Sequence, residues 1–263
     1  MTVLLVWPAF SHAVEVWSTT EEFSYGFFVP PVALLLVWWR RQALRRSLGP
    51  GATTGLPVIV AALALYLLAQ RVGIHALAGL AVIPLAWGIT AYLWGWSAWR
   101  VLAFPIGFLA FGLGLYRGLL DSLGFWMQEA TALGAASAGH ALGLAVARDG
   151  LVLHSDEFAF VVAEPCSGMS SLLALLTLAA LWLYVARGGP LARAVTLLSV
   201  LPLVVLANTI RVTLVLLVAS QLGQDAALGF FHGASSLVLF GLGLGGLLVI
   251  SRGVGCRVPV FAV

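Results

Sequence analysis

Three places in the chain carry side chains that could perform acyl transfer: Glu164-Pro165-Cys166-Ser167-Gly168, the pair Asn208 and Arg211, and His232. The thiolate is the reactive form of cysteine, and a cysteine in the first turn of a helix is activated by the partial positive charge and free N–H groups there. The stretch from Phe158 to Leu176, FAFVVAEPCSGMSSLLALL, predicts that setting. A strand-like run ends at Glu164-Pro165, and small residues then lead into a segment apolar enough to cross a membrane. Pro165 suits a first turn because it lacks the N–H that would be unsatisfied there. The competing reading of Cys166 is a small buried hydrophobe, since free cysteine is among the most buried residue types.

Asn208 and Arg211 lie three apart within PLVVLANTIRVTLVLLVAS, so a helix puts them on one face. An arginine inside a spanning helix costs at least ~2.5 kcal/mol near the bilayer centre and normally faces a bundle interior or water. It could orient a substrate carbonyl, or serve only to stitch helices together through an outer-side acid such as Glu164. His232, in FFHGASSLVLF, is expected to open the last span behind two interface aromatics, beside the small residues Gly233, Ala234, Ser235 and Ser236. A thiol, a guanidinium and an imidazole at one depth supply a nucleophile, an oxyanion donor and a general acid/base. His12, His75, His140 and His154 are read as structural.

The elements that must position these groups are membrane helices. The chain is 62% hydrophobic and 9% charged, with a mean hydropathy of +1.06, whereas soluble domains run near a quarter charged. Apolar runs predict an all-α polytopic membrane protein of about eight spans, forming a single domain over 1–263. The spans are expected near Thr2–Trp17, Tyr25–Trp39, Leu56–Gln70, Leu77–Trp94, Val101–Leu119, Ser167–Ala186, Leu191–Ser220 and Ser235–Ile250. The first is read as a retained span, because MTVLLVWPAF has neither a basic leader nor a small-residue cleavage site.

With eight spans alternating, Arg40, Arg41, Arg45, Arg46, Arg100, Arg187, Arg193, Arg252 and Arg257 share one side, cytoplasmic by the positive-inside rule. Every Asp and Glu falls on the other side. Cys166 is then outside and Cys256 inside, so no disulfide is expected. The outer loop, about 120–165, should carry a short helix and a β-hairpin in which Leu151/Leu153 and Phe158/Phe160/Val162 alternate around His154–Glu157. The arginines are scattered at segment ends rather than gathered on one face, which excludes a nucleic-acid partner. There is no lysine, so lysine-based catalysis is excluded too, and no cofactor or metal is expected.

EPCSG, ANTIR and FFH, in this order, resemble the exosortase/archaeosortase family of membrane transpeptidases. FSYGFFVPPVALLLVWWRR resembles its first block and RVLAFPIGFLAF the block before its outer loop, so the likeness covers most of the chain. It implies Cys166 as nucleophile, Arg211 as oxyanion or orienting residue and His232 as proton shuttle, with Asn208, Glu164, Ser167 and Gly168 in support. Pro165 stands where the family commonly has alanine, and Tyr25 where many members have histidine. The implied substrates are exported proteins with a C-terminal sorting signal: a short motif, one transmembrane helix and a basic tail. The implied setting is the cytoplasmic membrane, with the site on the extracytoplasmic face.

A transporter that uses Asn208 and Arg211 as an intramembrane polar site is the rival from another class. So is a non-catalytic component of surface-polymer assembly. Transporters often show internal repeats and interrupted helix pairs, and neither is visible here. The topology is checked by labelling single-cysteine variants in intact cells with a membrane-impermeant thiol reagent. Cys166 should react in sealed cells and Cys256 should not, and labelling of Cys256 in sealed cells would overturn the arrangement.

Overall fold

A computed structural model of the chain describes residues 2–113, 117–155, 159–162 and 168–257. It is mostly helical and divides into two compact units, Met1–Arg117 and Gly118–Val263.

In the first unit α1 (Thr2–Thr19) is followed by a 3₁₀ segment (Glu21–Phe28), α2 (Val29–Trp39), α3 (Arg41–Ser47), α4 (Gly55–Val72), α5 (His75–Gly107) and a second 3₁₀ segment (Phe108–Gly112). Helix α5 is broken at Gly95, whose φ of 82° and ψ of 170° lie in a region essentially reserved for glycine. A break leaves carbonyls without intrahelical partners. Two are satisfied by the loop before α4: Gly49 N–H donates to Trp94 O at 3.2 Å and Ala52 N–H to Ala91 O at 3.0 Å. The second 3₁₀ segment is tied to α1 and to the first 3₁₀ segment as well. Trp17 Nε1 donates to Gly112 O at 2.6 Å and Tyr25 Oη to Phe111 O at 2.9 Å.

The second unit contains α6 (Arg117–Ala141), β1 (Ala147–Asp149), β2 (Val152–His154), β3 (Ala159–Val161), α7 (Met169–Val185), α8 (Pro190–Leu198), α9 (Val200–Leu222) and α10 (Gln224–Gly253). Gly223, at φ 85°, turns the chain between α9 and α10, and the two run back antiparallel until Gly246 meets Leu203. The strands form an antiparallel sheet in the order β1-β2-β3, with Leu153 opposite Phe160. Leu153, Val146 and Val162 pack with Ala132, Ala135 and Ala136 of α6, Val212, Leu216 and Ala219 of α9, and Ala227 of α10.

Several expectations change. Among the described residues four helical stretches are long and apolar enough to cross a bilayer: Glu22–Trp39, Gly55–Val72, His75–Gly112 and Pro190–Leu222. Met169–Val185 and Leu239–Gly253 are apolar but shorter. Two of the expected spans, Leu77–Trp94 and Val101–Leu119, fall largely in one helical stretch bent at Gly95, and the latter's last residues belong to α6. The outer-loop helix is not short: α6 runs 25 residues, because Gly124, Met127, Thr131, Ala132, Ala135 and Ala136 recur at helical spacing and bury a continuous face. The sheet has three strands where a two-stranded hairpin was expected, since Ala147–Asp149 adds to the outer side of β2. The turn residues 156–158 lie outside the described residues.

Gly95→Ala should lower stability by roughly 1–3 kcal/mol, because a Cβ there would also sit 2.8 Å from the fixed carbonyl oxygen of Pro50. Gly73→Ala is the control, for Gly73 also has a positive φ but nothing within 4 Å. Thermal unfolding of the purified variants should give a clearly larger loss for Gly95.

Candidate functional site

Helix α9 supplies the most firmly placed functional side chains. Asn208 is fully buried and Arg211, near the middle of the 23-residue helix, is only 6% exposed. They share one face, as their spacing requires. Around them α9 is built of Val, Leu and Ala, and its hydroxyls are absorbed by its own backbone: Thr209 and Thr213 donate to the carbonyls of Val205 and Thr209.

Asn208 is the point on which three segments converge. Its Nδ2 donates to Thr131 Oγ1 of α6 at 3.1 Å. On another side stands Gly168, where a Cβ would lie 3.5 Å from Asn208 Cβ and Cγ and 3.1 Å from Val204 Cγ1. Gly168 is also the N-cap of α7, in the left-handed conformation at φ 79°. Both the close approach and the positive φ call for glycine here. The chain therefore leaves the EPCSG stretch lying directly on Asn208, one turn from Arg211. Helix α6 is held near by two further small residues: Gly134 packs on Thr209, and Gly124 on Met169, the first residue of α7.

Cys166, Glu164 and Ser167 lie outside the described residues. The start of α7 nevertheless corrects the sequence reading, because the helix begins at Met169 rather than Ser167. Gly168 in the left-handed region cannot continue a right-handed helix backwards, so the first turn of α7 starts after it.

His232 is corrected similarly. Helix α10 starts at Gln224, so His232 lies within it, in the third turn, rather than opening it. Nothing breaks the helix between the Gly223 turn and Gly253. The His232 side chain lies outside the described residues. Its backbone is nine residues past Gly223 while Arg211 is twelve before it. Along two antiparallel helices that offset is about 5 Å, roughly one turn.

Thr131 was not singled out by sequence reasoning, nor was Gln128, which is buried one turn earlier on the same face of α6. The signal that could have found them is the small-and-polar stripe Gly124, Gln128, Thr131, Ala135, hidden in a segment read as loop. Of the other histidines, His12 and His75 have ring centroids 4.9 Å apart with the planes tilted by 44°, and the His140 ring donates to the Val146 carbonyl. Among the described residues no three His, Cys, Asp or Glu gather to hold a metal.

Comparison with known proteins gives one match: the family model of transmembrane exosortases (Exosortase_EpsH) matches residues 17–249. No curated protein and no solved structure matches.

Thr131→Val should destabilise the protein by about 1–3 kcal/mol, because it strips a buried amide of its acceptor. Thr131→Ser should recover most of that loss. Thermal unfolding of the two purified variants decides the point, and equal stability would mean that the Asn208 bond contributes nothing.

Proposed function

Since the chain belongs to the transmembrane exosortase family, a family of membrane cysteine transpeptidases, we propose that it cleaves the C-terminal sorting signal of exported proteins through Cys166, Arg211 and His232. The observation that carries this reading is the packing of Gly168 on Asn208. It brings the chain that leads from Cys166 to within one helical turn of a buried arginine, in a multi-pass membrane protein. The proposed setting is an eight-span protein of the cytoplasmic membrane with its site facing outward. The motif of a tail-anchored substrate helix would emerge at that depth.

The chemistry follows from the side chains. The Cys166 thiolate attacks the scissile carbonyl carbon, and the carbonyl π electrons move to oxygen. Arg211 donates N–H bonds to that oxyanion, with Asn208 fixing the plane from which they are offered. Collapse of the intermediate breaks the C–N bond, and the departing amine takes a proton from His232, leaving a thioester on Cys166. An amine of an acceptor, or water, then attacks the thioester. The neutral imidazole takes the attacking group's proton, and the thiolate is regenerated as it leaves.

A buried guanidinium also distinguishes shape from charge. Arginine offers five donors in a planar fork, whereas lysine is a strongly hydrated point charge. Processing of full-length, tail-bearing substrate is followed over time at matched enzyme levels. Cys166→Ala should abolish it without loss of expression, and Arg211→Lys should slow it on the order of 100–1000-fold, as loss of an oxyanion donor does. Normal processing with Cys166→Ala refutes nucleophilic catalysis. A lysine variant within a few-fold of wild type reduces Arg211 to a counter-charge.

A further inference from the structure

The far end of α7 from Gly168 carries an arrangement that the peptidase reading does not use. After α7 the chain forms an antiparallel bridge with the residues that follow α10: Arg187 N–H donates to Arg257 O at 2.9 Å and Arg257 N–H to Arg187 O at 3.0 Å. Directly opposite residues of such a pair leave the backbone on the same face with Cβ atoms about 5.5 Å apart, and like charges so placed repel.

The two arginines are nonetheless locked in place from below. Cys256 is fully buried, and a Cβ on Gly188 would overlap its Sγ. Cys256 N–H donates to Ser251 O at 2.8 Å, and Trp182 Nε1 to Ser251 Oγ at 2.6 Å. Arg193 and Arg252 are exposed at the same end.

Helices α7, α8 and α9 contain no carboxylate side chain to offset this charge, and α10 has only Asp225, in its first turn. Between Glu164 and Asp225, and after Asp225, the sequence contains neither Asp nor Glu. Asp225 stands at the opposite end of α10 from Arg252, about 40 Å away along the helix. That is several times the screening length of about 8 Å at physiological salt. The four helices around the bridge therefore supply no anion of their own.

Helix α8, directly after the bridge, indicates which kind. Leu191, Val195 and Leu198 recur at i, i+4 and i+7 and are 76%, 38% and 75% exposed. They form an uncovered apolar stripe along one face of α8, the helix that follows the bridge directly. A free phosphate would use the arginines and leave the stripe bare, whereas a lipid would use both.

We infer that the Arg187–Arg257 bridge, with the α8 stripe, is a binding site for an anionic glycerophospholipid. Each guanidinium takes one non-bridging oxygen of the headgroup phosphodiester through paired N–H donors, and the acyl chains lie along Leu191, Val195 and Leu198. Arginine is suited to this by its fork and its weak hydration. None of these residues belongs to the Cys166 site, so the inference stands whatever that site does.

The test uses the full chain purified in detergent, given phosphatidylglycerol or phosphatidylcholine of matched chains, with retained lipid counted by native mass spectrometry. Wild type should retain phosphatidylglycerol at least about tenfold better, the scale of one or two charge-assisted hydrogen bonds. Arg187→Gln/Arg257→Gln should lose the preference, and Arg187→Lys should lose part of it. The backbone bonds of the bridge survive all three substitutions, and an unchanged unfolding temperature verifies it. Arg45→Gln/Arg46→Gln, two exposed arginines of α3, should keep the preference. Equal retention of the two lipids by wild type, or an undiminished preference in the double variant, overturns the site. Displacement of the lipid by millimolar inorganic phosphate overturns the lipid as its ligand.

Discussion

The second unit depends on keeping a guanidinium inside an apolar helix. A guanidinium inside a spanning helix is costly unless it faces a bundle interior, and Arg211 is only 6% exposed there. Asn208, on the same face one turn earlier, is where the neighbouring segments meet α9. Thr131 must reach Asn208, so α6 must lie against α9, and this requires small residues such as Gly134 where the helices meet. Gly168 must fit against Asn208, so α7 must begin where it does. The sheet then covers the part of α9 beyond Arg211, with Leu153 and Val162 seated on Val212 and Leu216. What looks in sequence like a loop attached to a bundle shares one core with the part of α9 that follows Arg211.

Much of this was legible in the residues, and the rest was hidden for identifiable reasons. The shared face of Asn208 and Arg211 follows from a spacing of three, and the helical class follows from the apolar runs, because both rest on backbone periodicity alone. The start of α7 did not follow. Ser167 and Gly168 read equally well as a first turn, and only contact with Asn208 makes Gly168 take the left-handed conformation that delays the helix. His232 was misplaced for a related reason: the aromatic pair before it looks like a membrane boundary, yet the actual turn is made by Gly223, a single glycine in a polar run. The length of α6 was missed because its buried face is made of Gly, Ala, Thr and Gln, residues with too little hydropathy to register as a core.

Membership of the transmembrane exosortase family and the geometry around Asn208 bear on different questions. The family gives the class of chemistry. The geometry describes what the chain must keep rigid for it: a glycine-mediated crossing between the stretch after Cys166 and α9. That contact holds the start of α7 against α9 one turn from Arg211. Arg211 near mid-helix and His232 about a turn nearer the Gly223 end also give the polar groups a spread along the bundle axis. A peptide lying along that axis could meet them in succession.

The break at Gly95 bears on the order in which the chain can fold. A broken helix leaves carbonyls that need other donors, and here those donors are the backbone N–H groups of Gly49 and Ala52. They precede α5 in the chain and so are made before Ala91 and Trp94. Residues 48–107 are thus suited to form as one hairpin, with the bend closing against a loop already in place. Reversing that order, as a circular permutation opening the chain between α4 and α5 would do, makes the bent helix before its partner exists.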